Sequence, residues 1–249
     1  MNNLVGISIG TIHLQGETIE SRLRLVKELN KEAIEISFFR NYETNQTISK
    51  DSKDYLTSLK YVSIHAPMFF SDSFLPYFNF DMNKLKKWYF FSKEKSSQAI
   101  LFHPHQKIPP VEGRMLFCVE NMPPMPGKDF DLIKKLAEYK LEEHPEFRLV
   151  LDACHTLHYP GYLEEIIEKY HDRIQHIHLS DRRLAEKNGK TRTKDHQTFA
   201  ECPDKEKFAC LKELDCPIIA EISLRYQTPE ECKEILRREI DSVRAFFGR

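Results

Sequence analysis

Eight short runs rich in β-branched and apolar residues punctuate the chain: Leu4–Ile9, Ala33–Ser37, Tyr61–His65, Ala99–His103, Met115–Glu120, Arg148–Asp152, Ile174–Leu179 and Pro217–Ile222. They are nearly continuous in apolar character, the pattern of parallel strands covered by helices on their outer face. Longer charged stretches separate them. Glu17–Asn30 carries Ile19, Leu23, Val26 and Leu29 at helical spacing, and Asp129–Leu141 does the same with Leu132, Ile133, Leu136 and Tyr139. Thr228 before Pro229 predicts an N-cap with proline at the first helical position, Glu231 completes a capping box, and the helix runs to about Phe246. The fourth unit is the exception, because Pro104–Arg114 is too short and proline-rich for a full helix. Eight βα units in 249 residues predict a single (β/α)8 barrel, with a doubly wound open sheet as the alternative. No Pro/Gly/Ser-rich linker divides the chain, so residues 1–249 read as one domain.

Composition narrows the function. With 37 basic and 38 acidic residues the net charge is −1, which argues against a nucleic-acid or membrane partner held by overall charge and leaves only a local basic patch. No apolar run reaches membrane-spanning length, and the first residues lack a basic segment followed by an apolar one. The six cysteines form no CxxC pair. The expectation is a soluble, cytoplasmic protein. Glycine loops of the GxGxxG and GxxxxGK(S/T) kinds are absent, which removes the main support for a nucleotide fold.

The informative pattern lies where the runs stop. The third ends in His65, the fourth in His103, the fifth in Glu120, the sixth in Asp152, the seventh in His178 and the eighth in Glu221. In a barrel these ends converge on one mouth, the face that carries catalysis. His155 and His196 follow on adjoining loops. One strand-end histidine is an ordinary hydrogen-bonded loop residue; six His, Asp or Glu residues in register suit Zn²⁺, Mn²⁺ or Fe²⁺, with Mg²⁺ and Co²⁺ as further candidates. Without a cation the carboxylates would repel one another in a partly desolvated space. His176 reads as a barrel-interior residue one layer deeper, and His105 is a lesser candidate for the place of His103. Glu35 reads as a local salt-bridge partner, Cys154 as a weak thiolate candidate, and His13, His144, His158 and His171 as surface or loop residues. Arg182, Arg183 and the basic stretch 187–194 flank His178 and His196, which raises an anionic, phosphorylated small-molecule substrate. The aromatic segment 68–91 reads as a long loop packing its own rings, with a lid or an oligomer interface as functional alternatives.

The strings SIHAP (63–67), FHP (102–104), VEN (119–121), LDACH (151–155), HIHLSD (176–181) and AEIS (220–223) resemble the xylose isomerase-like TIM barrels. That superfamily holds sugar and sugar-phosphate isomerases and epimerases, and also the endonuclease IV type of abasic-site nuclease. For the isomerase branch, the resemblance implies one divalent metal held by Glu120, Asp152, His178 and Glu221. Glu120 and Glu221 then move a proton through a metal-stabilised enediolate, and His155 holds a substrate oxygen. For the nuclease branch it implies three zincs, with His65, His103, Glu120, Asp152, His155, His178, His196 and Glu221 matching eight of nine ligands. The ninth position is Lys194, whose charge would face the third metal, with Asp195 beside it. The glycines that follow the corresponding histidine in nucleases are replaced by Gln-Thr-Phe-Ala-Glu-Cys, and SIHAP runs into Met-Phe-Phe-Ser. The expected function is therefore a metal-dependent isomerase or epimerase of a sugar, sugar phosphate or polyol. The alternative is a zinc-dependent phosphodiester hydrolase acting on DNA.

Overall fold

The structure is a computed structural model that describes residues 4–13, 18–30, 32–39, 41–67, 82–91, 97–106, 115–125, 127–187, 190–225 and 228–248. Eight parallel strands close into a barrel: β1 (Val5–Ser8), β2 (Ala33–Ser37), β3 (Tyr61–His65), β4 (Ser97–Phe102), β5 (Phe117–Glu120), β6 (Arg148–Asp152), β7 (Ile174–Leu179) and β8 (Ile218–Ala220). Each neighbours the next, and β1 pairs with β8 through Val5↔Ile218 and Ile7↔Ala220. The open-sheet alternative is thereby excluded, and all eight apolar runs are strands.

The helices around the barrel are α1 (Ile19–Lys27), α2 (Lys50–Ser58), α3 (Met82–Phe91), α4 (Phe130–Glu143), α5 (Ala153–Thr156), α6 (Tyr162–Tyr170) and α7 (Pro229–Phe246). The predicted cap of α7 is present: Thr228 Oγ1 accepts from the Glu231 N–H at 3.2 Å, and the Glu231 carboxylate accepts from the Thr228 N–H at 2.7 Å. Asp129 caps α4 in the same way, accepting from the Leu132 N–H at 2.8 Å. Their apolar stripes, such as Leu236, Ile240 and Val243 of α7, pack on the outer face of the strands in one continuous core. Behind it, buried Arg22 of α1 pairs with buried Glu43 and donates to the Ile9 carbonyl at 3.3 Å. No helix among the described residues is long and apolar enough to cross a membrane.

Of the aromatic segment, 68–81 lies outside the described residues. Its later part is a helix, not a loop: in α3 the buried Trp88 donates Nε1–H to the Thr44 carbonyl at 3.0 Å and meets Phe38 edge-on at 5.3 Å. In the fourth unit, Gln106 closes a turn by donating its N–H to the His103 carbonyl at 2.9 Å, and 107–114 lies outside the described residues.

Alternate side chains of each strand look into the barrel. Two small clusters fill its apolar part, Ala33–Tyr61–Ile219 and Ala99–Leu101–Cys118–Val150. One register step up, the interior turns polar at Glu35, Ser63 and His176, and a further step brings Ser37 level with His65 and Asp152 level with His178. The strands thus deliver their last inward side chains to a single mouth. Gly10, just past β1, is squeezed against that rim: a Cβ there would lie 2.2 Å from the Ser37 Cβ.

Candidate metal centre

His65, Glu120 and Asp152 are the last residues of β3, β5 and β6, and His178 lies one residue from the end of β7. His103 and Glu221 directly follow β4 and β8. All six are buried at the mouth. His178 Nδ1 is 3.0 Å from Glu120 Oε1 and 2.9 Å from Glu221 Oε2, while Glu120 Oε2 is 3.4 Å from His65 Nε2 and 3.2 Å from His103 Nε2. Ligand atoms of Glu120, Asp152, His178 and Glu221 all lie within 4.8 Å of one another, as do those of the His65–His103–Glu120 set. Asp152, His155 and His196 form a further such set.

Hydrogen bonds on the far sides of the rings fix which nitrogen faces inward. His65 Nδ1 lies 2.8 Å from the Ala66 carbonyl, and His155 Nδ1 lies 2.9 Å from that of Asn121. A carbonyl only accepts, so each Nδ1 carries a proton and Nε2 is the nitrogen turned toward the cluster. His178 is turned the other way: Nε2 is 3.0 Å from Glu35 Oε2, which leaves Nδ1 toward Glu120 and Glu221. Glu35 is itself fully buried and accepts from Ser37 and Ser63 at 3.0 and 3.1 Å. A carboxylate behind a histidine is the arrangement that orients imidazole ligands and raises their basicity. Asn121 does comparable work for Asp152: its side chain donates to the Asp152 carbonyl at 2.9 Å and accepts from the Asp152 N–H at 2.8 Å.

The electrostatics ask for a cation. Among the described residues no lysine or arginine pairs with Glu35, Glu120, Asp152 or Glu221; their close partners are histidines and neutral polar groups. Burial pushes the Asp152 carboxyl well above its usual range. Burial would likewise raise Glu120, yet His178 and the other imidazoles hold it well below. Burial would lower His65, but Glu120 lifts it to about 9. Glu120 Oε2, Asp152 Oδ2 and Glu221 Oε2 are buried with no hydrogen-bond partner, although imidazole nitrogens lie close to them. Buried carboxylate oxygens and imidazole nitrogens converging within 4.8 Å, with no lysine or arginine among them, fit the donor set of a divalent metal.

His155 is the third residue of the short helix α5, its N–H donated to Oδ1 of the N-cap Asp152 at 2.8 Å. His196 arrives from outside the barrel, on an antiparallel hairpin formed by Asp181–Lys187 and Lys190–Gln197. The ladder is interrupted between Lys194 and Gln197, and His196 has φ 54°, the left-handed region. Its carbonyl is pinned by the Ser223 N–H at 2.8 Å, and its ring meets His155 edge-on at 5.2 Å.

Several expectations need correction. Lys194 does not face the cluster; it is exposed on the hairpin. Asp195 is turned away as well, both its oxygens 3.0 Å from His158 Nε2, so His158 is a partnered residue and not a plain loop histidine. Arg182 and Arg183 do not enter the mouth: Arg182 donates to the Leu157 carbonyl, and Arg183 binds Asp181 at 3.0 Å, Glu201 at 3.2 Å and the Thr198 carbonyl at 2.8 Å. Cys154 points its thiol at the Asp181 carbonyl, 3.5 Å away. His105 joins none of the ligand sets, while His176, fully buried and bonded to Tyr61, is the interior residue expected and also groups with Glu35 and His178 in a set one layer deeper. Glu35 is more than a local partner, and His13 lines the pocket. Sequence reasoning found no role for Asn121 or Arg225; neither carries a spacing signal.

Above the cluster lies a cavity of about 230 Å³. His65, His103, Glu120, His155, His196 and Glu221 line its polar side, Phe38, Phe39, Met122 and Pro123 an apolar wall, and Thr11, His13, Ser223 and Arg225 its rim.

The fold is a (β/α)8 barrel with a His, Asp and Glu cluster at its mouth, and the sequence agrees with that class. Residues 112–245 match the profile of the xylose isomerase-like TIM barrel family, to which this chain belongs. No curated protein matches it. Among solved structures, a D-tagatose 3-epimerase-like protein is 19% identical with a TM-score of 0.56, covering 97% of this chain and 98% of its own. Endonuclease IV from Thermus thermophilus is 14% identical with a TM-score of 0.56, at 97% and 99% coverage. A xylose isomerase domain protein from Alicyclobacillus acidocaldarius subsp. acidocaldarius is 12% identical with a TM-score of 0.63, at 100% of both chains. These proteins share the barrel, and their names carry different activities.

Proposed function

We propose that the protein is a divalent-metal-dependent isomerase or epimerase of a small sugar or polyol. The supporting observation is that Glu120 and Glu221 both lie within 3.0 Å of His178 Nδ1, grouped with Asp152, and that both line a small pocket. Glu120, Asp152, His178 and Glu221 would hold the ion, with Mn²⁺ or Zn²⁺ matching the mixed oxygen and nitrogen donors. When bound, the metal polarises a substrate carbonyl and stabilises negative charge developing on the substrate oxygens. Glu120 and Glu221, approaching from separate strands, are placed to take a proton from one face of the adjacent carbon and return one from the other. His155 Nε2 is positioned to hold a substrate hydroxyl, and the Phe38–Phe39 wall suits the C–H face of a sugar. At about 230 Å³ the pocket is below the roughly 300–1,000 Å³ of sites for drug-sized ligands, which suits a compact substrate.

The test is solvent exchange. Metal-replete protein incubated with ketoses and ketose phosphates in D₂O should incorporate deuterium at the carbon next to the carbonyl. Glu120→Gln and Glu221→Gln should each lower that rate about 10²–10⁴-fold while keeping the fold, since an amide cannot take up the proton. No exchange with any sugar would remove the proposal.

A second reading, a zinc-dependent phosphodiester hydrolase, is favoured by the His65–His103–Glu120 and Asp152–His155–His196 sets, which offer places for two more ions. Against it stand Asp195, committed to His158, and Lys194 in the place of the ninth ligand. Nicking of an abasic-site duplex together with three metal ions per chain would support it; one ion per chain would not.

A further inference from the structure

The rim of the pocket opposite the carboxylates is built from two short segments that meet beyond the barrel. Ile12–His13 follows β1 and Leu224–Arg225 follows β8, and they pair in parallel, Leu224 beside Ile12 and Arg225 beside His13. The Leu224 N–H donates to the Thr11 carbonyl at 3.0 Å, which ties the two segments together. Ile12 and Leu224 are buried, so the alternation of extended chain turns His13 and Arg225 to the other side, where both line the cavity mouth. The His13 ring is braced edge-on against Phe39 at 5.1 Å.

Arg225 stands apart from the other arginines near the mouth. Arg22 pairs with Glu43, Arg183 with Asp181 and Glu201, and Arg182 donates to a backbone carbonyl. Among the described residues, no carboxylate or other acceptor engages the Arg225 guanidinium, which is exposed on the rim. Burial, and then the Arg225 charge, hold the neighbouring His13 down at about 4, so at neutral pH it is an uncharged hydrogen-bonding neighbour and not a second cation. The cavity is therefore polarised along its depth, with carboxylates and imidazoles at the floor and one uncommitted guanidinium at the rim.

We propose that Arg225, assisted by His13, is the specificity-determining residue of this pocket and binds a terminal oxyanion, phosphate or carboxylate, of a small polyol substrate. The proposal rests on the isomerase or epimerase reading for what happens at the floor, and adds which end of the molecule faces out. A guanidinium presents a planar fork that matches both oxyanions and strengthens the bond with charge. It also relocates anion recognition from Arg182 and Arg183, which point away from the mouth toward the Leu157 carbonyl and toward Asp181, Glu201 and Thr198.

The test compares three polyols of matched length, glycerol 3-phosphate, glycerate and glycerol, by calorimetric titration of the Mn²⁺-loaded protein at low salt. Wild type should bind one of the two anions about tenfold or more tightly than glycerol, and the preferred anion identifies the source of the charge. Arg225→Gln should remove that preference with an unchanged melting temperature, and Arg183→Gln should keep it. Equal binding of all three by wild type would overturn the proposal. So would an anion preference that survives Arg225→Gln, because another group, such as the metal, would then be reading the charge. Deuterium exchange is measured separately: anion preference without exchange would fail the isomerase reading alone, and exchange without anion preference would fail only this one.

Discussion

Two regions of this protein bury carboxylates, and they are finished differently. Just past the end of β1, Glu43 meets Arg22, a permanent cation, which also donates to the Ile9 carbonyl; the charges balance within the chain. At the mouth, Glu120, Asp152 and Glu221 meet only histidines, and an oxygen of each is left without a hydrogen bond. The first arrangement is closed and serves the fold. The second is not neutralised by its own partners, and the proposed metal ion would complete it. Burial alone therefore does not mark a functional acid; the marker is burial with partners that fall short of neutralising it.

The sharpest way to break this contrast is to remove a partner on the closed side. Arg22→Ala leaves the buried Glu43 without its guanidinium and should cost about 3–5 kcal/mol in urea unfolding, equally with metal or chelator present. A loss that depended on metal would erase the distinction. On the open side, Asp152→Asn keeps an oxygen for the His155 N–H and removes a charge. Chelated protein should melt no lower than wild type, while the stabilisation by added metal, about 3–4 kcal/mol at 100–1,000 times its dissociation constant, should disappear. Retention of that stabilisation would place the ion elsewhere.

Glu239 offers a third kind of buried acid and sharpens the comparison through pH. It accepts the Phe199 and Ala200 N–H groups at 2.7 and 2.8 Å, with burial raising it to about 7. A raised folded-state value means that its stabilising share is complete below the ordinary glutamate value and is lost as pH rises toward 7. The wild-type profile relative to Glu239→Gln should fall by up to about 3 kcal/mol between pH 4.5 and 7. A flat difference would refute the assignment. The smallest effect concerns the acid behind the site: Glu35→Gln should weaken metal binding about 10–100-fold in a chelator competition, with little change in unfolding of the chelated protein. Unchanged affinity would reduce Glu35 to packing.

The strands were legible because each run is apolar on both faces, and the six strand-end ligands because a parallel barrel sends all carboxyl ends to one mouth. Lys50–Ser58 shows nothing so periodic, and α3 was hidden inside a segment whose aromatics read as a loop. What could not be read at the site depends on a second element crossing over. Asn121 acts through the backbone of the next strand, Glu35 through a ring on the other side of the barrel, and Asp195 turns outward because a bulge rotates His196 inward. Arg182 and Arg183 misled for the same reason: adjacency in sequence places a charge near a site, and only the hairpin's pairing shows which acceptors it has already met.

The closure of β1 on β8 has a consequence for how the molecule comes into being. Val5 and Ile218 belong to opposite ends of the sequence, so their pairing is the most distant contact in the ring, and contacts of that kind form slowly. Glu221 joins Glu120 and Asp152 only when β8 docks, on β7 along one edge and on β1 along the other. A half-folded chain is thus spared the mutual repulsion of the three acids, and an ion that needs all of them finds no complete nest before the last strand docks. Metal uptake during refolding would then serve as a clock for the final zippering of the barrel.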